Sequence, residues 1–337
     1  MSQCSPFVAH WVAGVVLVIL AIAGHVHAQT NSYDPLAVDP AFHPAHVDLT
    51  VHDADRQRDI PLRIYLPAGT APAPVVLFSH GLGGTREGSA FLGEHWAARG
   101  FVAVFLQHPG SDDSVWKGKP QPARMQSMNQ AISLKNLLLR VQDVPVVLDQ
   151  LELWNINKSN SLAGRLDMKK VGMSGHSFGA VTTEALSGQT LPAYAQSLTD
   201  SRIQAAVVFS PSSPRALSAN EAFATVKIPW LLMTGTKDIA PIGNVDMKSR
   251  LAVYPALHGA PKYELVLNNA EHSVFTERAL PGEHGPRNPN HHRVILALST
   301  AFWDAYLRGD PGALAWLNGP GPRSVMEPDD QWQFSAH

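Results

Sequence analysis

Gly175-His176-Ser177-Phe178-Gly179 follows a short apolar run, Val171 to Met173, and this pairing constrains the chain more than any other feature. A G-x-S-x-G pentapeptide at the end of a buried strand predicts a strand-turn-helix elbow with the serine at its apex. The turn is so tight that its flanks must be nearly free of side chain, which is why glycine is wanted at 175 and 179. Ser177 is therefore the candidate nucleophile.

Two partners follow downstream. Pro229 to Asp238 reads as an apolar strand ending in a turn, which puts Asp238 just past the strand's carboxyl end. Tyr263 to Leu267 reads as another strand, and the Asn268-Asn269-Ala270-Glu271-His272 segment after it puts His272 on the next loop. The order Ser177, Asp238, His272 is the chain order of α/β-hydrolases, distinct from those of chymotrypsin and subtilisin. Each residue falls at a strand end, where α/β sheets present their sites. Glu271 and Asp167 lie close by in sequence and read as surface or turn carboxylates.

Upstream, Val75 to Ser79 runs into His80-Gly81-Leu82-Gly83-Gly84. Acyl transfer develops negative charge on the former carbonyl oxygen, and preorganised backbone N–H groups stabilise it. The expected donors are the amides of Leu82 and of Phe178, the residue after the nucleophile. Gly81 and Gly83 would let backbone approach the substrate, with His176 and Trp116 as further substrate-binding residues. Trp116 sits in the long Gly110–Asn129 segment, and a second long segment, Phe275–His291, follows His272.

On these motifs, together with Gln107-His108-Pro109-Gly110-Ser111-Asp112 and Thr234-Gly235-Thr236-Lys237-Asp238, the chain resembles the α/β-hydrolase superfamily over roughly residues 45–320. It is most similar to the group of dienelactone-hydrolase-like proteins, platelet-activating-factor acetylhydrolases and bacterial polyester hydrolases. The resemblance implies a serine carboxylic ester hydrolase working through an acyl-enzyme, with His272 as general base, Asp238 orienting it and no cofactor. Dienelactone hydrolases proper use a cysteine nucleophile, so serine at 177 argues for ordinary ester hydrolysis. A lipid-acting acetylhydrolase or phospholipase and a polyester hydrolase stay open, as does a noncatalytic binding protein on the same fold.

The implied fold is α/β: a mostly parallel eight-stranded sheet flanked by helices. Val47–Val51 and Ile60–Leu66 predict an edge hairpin. Val75–Ser79, Phe101–Leu106, Val171–Ser174, Ala205–Ser210, Trp230–Thr234 and Tyr263–Leu267 are the remaining strands, separated by helical patterns. Helices are expected at Ser89–Arg99, Gln130–Arg140, Pro145–Trp154, Phe178–Ser187 and His292–Leu307, with Asp143 capping the restart at Pro145.

With 337 residues, 45% of them hydrophobic, the chain can bury one large core. A net charge of −2 and the lack of any basic stripe argue against nucleic acid. Trp11 to Gly24 is apolar but shorter than the about twenty residues a spanning helix needs. It reads as the core of a signal peptide over 1–28, cut after Ala28. The lone cysteine, Cys4, would leave with it. The expected organisation is an extended lead-in over 29–45, a catalytic domain over 46–320 and a tail over 321–337. The protein is expected to be secreted or periplasmic, with an uncleaved anchor as the alternative, and to act on a small-molecule or lipid ester. His284, His291 and His292, beside Glu283, lack the spacing of a metal motif.

Overall fold

A computed structural model describes residues 1–3, 33–192, 197–240, 242–243, 245–280, 283 and 286–336. The apolar core and cleavage point of the expected signal peptide, with Cys4, lie outside the described residues, as does His284.

The strands come first as a hairpin. β1 (Ala45–Asp53) and β2 (Arg58–Leu66) pair antiparallel from Ala45 opposite Leu66 to Asp53 opposite Arg58. β3 (Ala73–Ser79), β4 (Val102–Leu106), β5 (Leu166–His176), β6 (Ile203–Phe209), β7 (Trp230–Lys237) and β8 (Lys262–Glu271) form the parallel part of the sheet. β9 (Gln331–Ser335) closes it antiparallel to β8. The sheet is nine-stranded in the order β1-β2-β4-β3-β5-β6-β7-β8-β9, not eight-stranded as expected.

The extra strand lies in the expected C-terminal tail. Trp332 and Phe334 alternate with glutamines, and both rings stack on the Tyr263 ring of β8, with centroids 5.7 and 5.9 Å away. This period-two pattern is the signature of a half-covered edge strand. The lead-in is also tied down, because the Tyr33 hydroxyl donates to Asp304 Oδ2 at 2.7 Å.

Helices cover both faces, and the parallel strands are buried on both, as such strands must be. On β3, Val76 and Phe78 join the core beneath α1 (Ala90–Ala98) and α8 (Pro289–Trp303), whereas Val75 and Leu77 join the opposite core beneath α3 (Leu134–Ile156). α2 (Gln121–Ala131) precedes α3, and α4 (Phe178–Leu186) follows β5.

α3 corrects the sequence reading. A single helix capped by Ser133 runs through Pro145, where two helices with a restart were expected. A proline inside a helix forfeits one hydrogen bond and costs about 3 kcal/mol. Here Leu137, Val141, Val144, Val147, Leu148 and Leu151 bury a continuous apolar face that offsets it. Asp143 is consequently not a cap but a fully buried helical carboxylate. Among the described residues no helix is long and apolar enough to cross a membrane.

Candidate active site

β3 lies between β4, which follows it in the chain, and β5, so the direction of strand addition reverses there. Ligand sites in open α/β sheets gather at the carboxyl ends of strands beside such a switch point. Ser79 at the end of β3 stands opposite Gly175 near the end of β5, which brings the His80–Gly84 turn against the pentapeptide.

Ser177 occupies the elbow between β5 and α4 at φ 58° and ψ −113°, a conformation that a residue with a Cβ adopts only under tertiary constraint. Its amide donates to Phe209 O at 3.0 Å. The flanking glycines are sterically required. A Cβ on Gly179 would collide with the Ser79 carbonyl, and one on Gly175 with the Gly179 carbonyl. A Cβ on Gly81 would lie 3.4 Å from Ser177 Cβ, so this residue touches the elbow.

Three side chains that are remote in sequence form one hydrogen-bonded line. Ser177 Oγ lies 2.9 Å from His272 Nε2, and His272 Nδ1 lies 2.6 Å from Asp238 Oδ1. Asp238 directly follows β7 and His272 directly follows β8. Both are buried, at 0% and 4% exposure. Asp238 Oδ2 accepts from the Ser210 hydroxyl at 2.7 Å and the Thr234 hydroxyl at 2.8 Å.

Arg250, on α6 (Met247–Leu251), completes the carboxylate's surroundings. Its Nη2 is 2.9 Å from Asp238 Oδ1 and 3.1 Å from His272 Nδ1, so two N–H donors converge on one oxygen. Burial pushes the Asp238 carboxyl up, but His272, Arg250 and Ser210 outweigh it and hold the group far below the usual carboxylate range. An ionised Asp238 keeps the imidazole proton on Nδ1. Nε2 is then free to accept the Ser177 proton, the arrangement that general-base activation of a hydroxyl needs.

The expected oxyanion donors are the amides of Leu82, in the turn after β3, and of Phe178, at the start of α4. Phe178 opens α4, so its N–H has no acceptor within the helix. The turn before it is pinned by Gly83 N to Ser111 O at 2.8 Å and Gly84 N to Gly81 O at 3.0 Å. Among the described residues neither the Leu82 nor the Phe178 amide donates to a protein acceptor. Both N–H groups are thus uncommitted within the described protein.

Trp116 lies against the same turn. Its indole N–H donates to Gly83 O at 2.7 Å, and a Cβ on Gly83 would meet Trp116 Cδ1 at 3.0 Å and crowd Met128. His176 packs behind the His272 loop, with its Nδ1 3.3 Å from where a Cβ on Gly81 would stand. It is buried, its Nε2–H donates to His272 O at 2.9 Å, and burial, reinforced by His272, draws it down to about 3. It therefore backs the His272 loop as a neutral ring.

His291 and His292 are committed to carbonyls. His291 donates to Asn268 O at 3.1 Å, and His292 donates to Val274 O at 2.9 Å while stacking on Phe91. Glu283 accepts from the Ser273 amide at 2.8 Å, which draws part of the Phe275–His291 segment to the residue after His272. Among the described residues no three His, Cys, Asp or Glu side chains are grouped to hold a metal ion. Asp167 lies 3.7 Å from Lys170 on β5, and Glu271 ends β8.

Ser210, Thr234 and Arg250 escaped the sequence reading. Thr234 lies within the Thr-Gly-Thr-Lys-Asp motif, so proximity alone could have suggested it, but Ser210 and Arg250 carry no local signal. No protein-family model and no curated protein matches this sequence.

Proposed function

We propose that this chain is a serine hydrolase of the α/β-hydrolase superfamily that cleaves carboxylic esters through an acyl-enzyme. The observation that carries this reading is the Ser177–His272–Asp238 line, with contacts of 2.9 and 2.6 Å built on an elbow at φ 58°. The sheet order and the reversal beside β3 support the fold assignment.

His272 takes the Ser177 proton as Oγ attacks the ester carbonyl, and the ionised Asp238 stabilises the imidazolium. The amides of Leu82 and Phe178 receive the oxyanion. His272 then protonates the leaving alkoxide and activates water for deacylation, so the alcohol leaves first and the acid second. Apart from water and the ester itself, every group these steps use is a residue of the chain. The protein is secreted or periplasmic in this reading, and its substrate is a small-molecule or lipid ester.

The test is hydrolysis of p-nitrophenyl esters from acetate to palmitate by wild type and Ser177→Ala, beside labelling with a fluorophosphonate probe. Turnover lost in Ser177→Ala, with the probe attached at Ser177, is the expected result. A wild type that neither turns over nor labels overturns the reading and favours a binding protein on the same fold.

A further inference from the structure

Behind the turn that carries Leu82 lies a fully buried arginine, Arg140 of α3. Its Nη2 donates to Ser79 Oγ at 3.0 Å and to the carbonyl oxygen of His80. Its Nη1 donates at 2.9 Å to the Ser111 hydroxyl, and the Ser111 carbonyl is the acceptor for Gly83 N. Its Nε donates at 3.1 Å to Thr182 Oγ1 on α4, a hydroxyl that in turn donates to Phe178 O at 3.0 Å. The guanidinium carbon stands 4.8 Å from the centroid of the Phe178 ring. One planar group thus touches the neighbours of both amides assigned to the oxyanion.

We propose that Arg140 is a positioning residue that fixes the Leu82 amide against the Phe178 amide and leaves its positive charge behind the oxyanion. The inference rests on the hydrolase reading above and deepens it. The guanidinium is a rigid fork, so three bonded corners set the distance between the end of β3 and the start of α4. In a reacting site a 1 Å misplacement costs about 10²-fold in rate.

The charge follows from the same contacts. All of these Arg140 hydrogen bonds end on neutral oxygens. Asp143 is reached only through intermediaries: the Ser79 hydroxyl donates to His108 Nε2 at 2.9 Å, and His108 Nδ1 donates to Asp143 Oδ2 at 2.8 Å. Asp143 is already gripped by Arg58 at 2.7 and 2.9 Å. Burial draws Arg140 down to about 9, with Asp143 partly offsetting it, so the group stays charged at neutral pH. Ser79, His108 and Asp143 copy the Ser-His-Asp order of contacts but are fully buried, which suits them to orient Arg140.

The experiment compares wild type, Arg140→Met, Arg140→Lys and Thr182→Val as full chains. The readouts are kcat and KM on a p-nitrophenyl ester, inhibition by phenylboronic acid, which binds as a tetrahedral anion, and hydrogen exchange over residues 80–84. Arg140→Met is expected to lose about 10²-fold in kcat with KM little changed, and to bind the boronate correspondingly more weakly. Arg140→Lys, a point charge without the fork, should recover less than a tenth of that loss, by about the same reasoning. Thr182→Val should lower kcat by about fivefold, the equivalent of one neutral hydrogen bond.

A folded Arg140→Met with kcat and boronate inhibition near wild type overturns the inference. Should that variant not fold, an unchanged kcat in Thr182→Val overturns it instead. A wild type with no turnover and no probe labelling defeats the hydrolase reading separately. The exchange data then decide: unaltered protection over 80–84 in Arg140→Met, or in Thr182→Val if Arg140→Met is unfolded, overturns the positioning role.

Discussion

Arg250 grips both ends of Asp238, with Nη2 2.9 Å from the carboxylate Oδ1 and Nε donating at 2.6 Å to the residue's own carbonyl. The same guanidinium donates through Nη1 to Ser210 O at 2.8 Å, tying the end of β6 to the end of β7. Both partners of the ion pair are buried. Removing one side of such a pair strands a charge and costs about 3–5 kcal/mol. Arg250→Met should therefore lose about that much in urea unfolding. Its kcat on a p-nitrophenyl ester should fall as well, because Asp238 no longer holds the His272 ring from a fixed position. Arg250→Lys should recover only part of either quantity, since an ammonium cannot serve the carboxylate and the carbonyls together.

Gly179→Ala tests the elbow without removing any polar group. The added methyl would collide with the Ser79 carbonyl, a backbone atom that cannot swing aside. Relief requires separating α4 from β3, which moves Phe178 away from Leu82. The variant should be destabilised by more than about 4 kcal/mol, in the range reserved for severe core lesions. Thermal unfolding gives that number, and the rate of fluorophosphonate labelling at Ser177 should collapse in whatever fraction folds.

Ser177, Asp238 and His272 were legible because each is announced locally, by glycines, by the end of an apolar run, or by the loop after one. Arg250 was not, since its partners lie 12 and 22 residues away and only the fold brings them together. Asp143 misled for the opposite reason. Asp before a near Pro is a sound cap signal, yet the apolar face of α3 kept the helix intact and turned the aspartate inward. β9 was overlooked because its five residues are few and the segment is polar in composition, although the Trp332 and Phe334 alternation was there to be read. The parallel strands were the easiest to find, because burial on both faces gives each one an apolar run such as Val75–Phe78, Val102–Leu106 or Trp230–Met233.

Trp116 touches the turn through a single polar contact, its indole N–H to Gly83 O. Trp116→Phe keeps an aromatic surface and removes that bond, worth about 1 kcal/mol. The expected result is a loss of about 1 kcal/mol in folding stability and a drop of up to about fivefold in kcat/KM. Trp116→Ala should lose more and should shift the preferred acyl length, because it also opens the space beside Met128 and Gly83. A chain-length profile identical to wild type would remove Trp116 from the substrate side.

Stability against pH should pass through a maximum near pH 7, with opposite groups responsible for the two limbs. Burial draws His95 and His108 down to about 4 and His176 to about 3, so between these values and 6.5 the unfolded chain binds protons that the folded chain does not. That cost fades out above pH 6.5 and grows as the pH falls. Glu184 of α4 works the other way. It is fully buried, accepts from the Ser212 amide at 3.0 Å, and burial pushes it up to about 8 against the opposing pull of Ser212 and Arg250. Between 4.5 and 8 the folded state holds a proton that the unfolded state has released, so this group lowers stability as the pH rises. Above pH 7 the histidine contribution fades as the unfolded rings lose their last protons, and Glu184 dominates the slope. Urea unfolding at pH 7 and pH 9 should show wild type losing about 1 kcal/mol. In Glu184→Gln, which keeps an acceptor for Ser212 but has nothing to ionise, that loss should vanish. An alkaline limb unchanged in the variant would assign it to some other group.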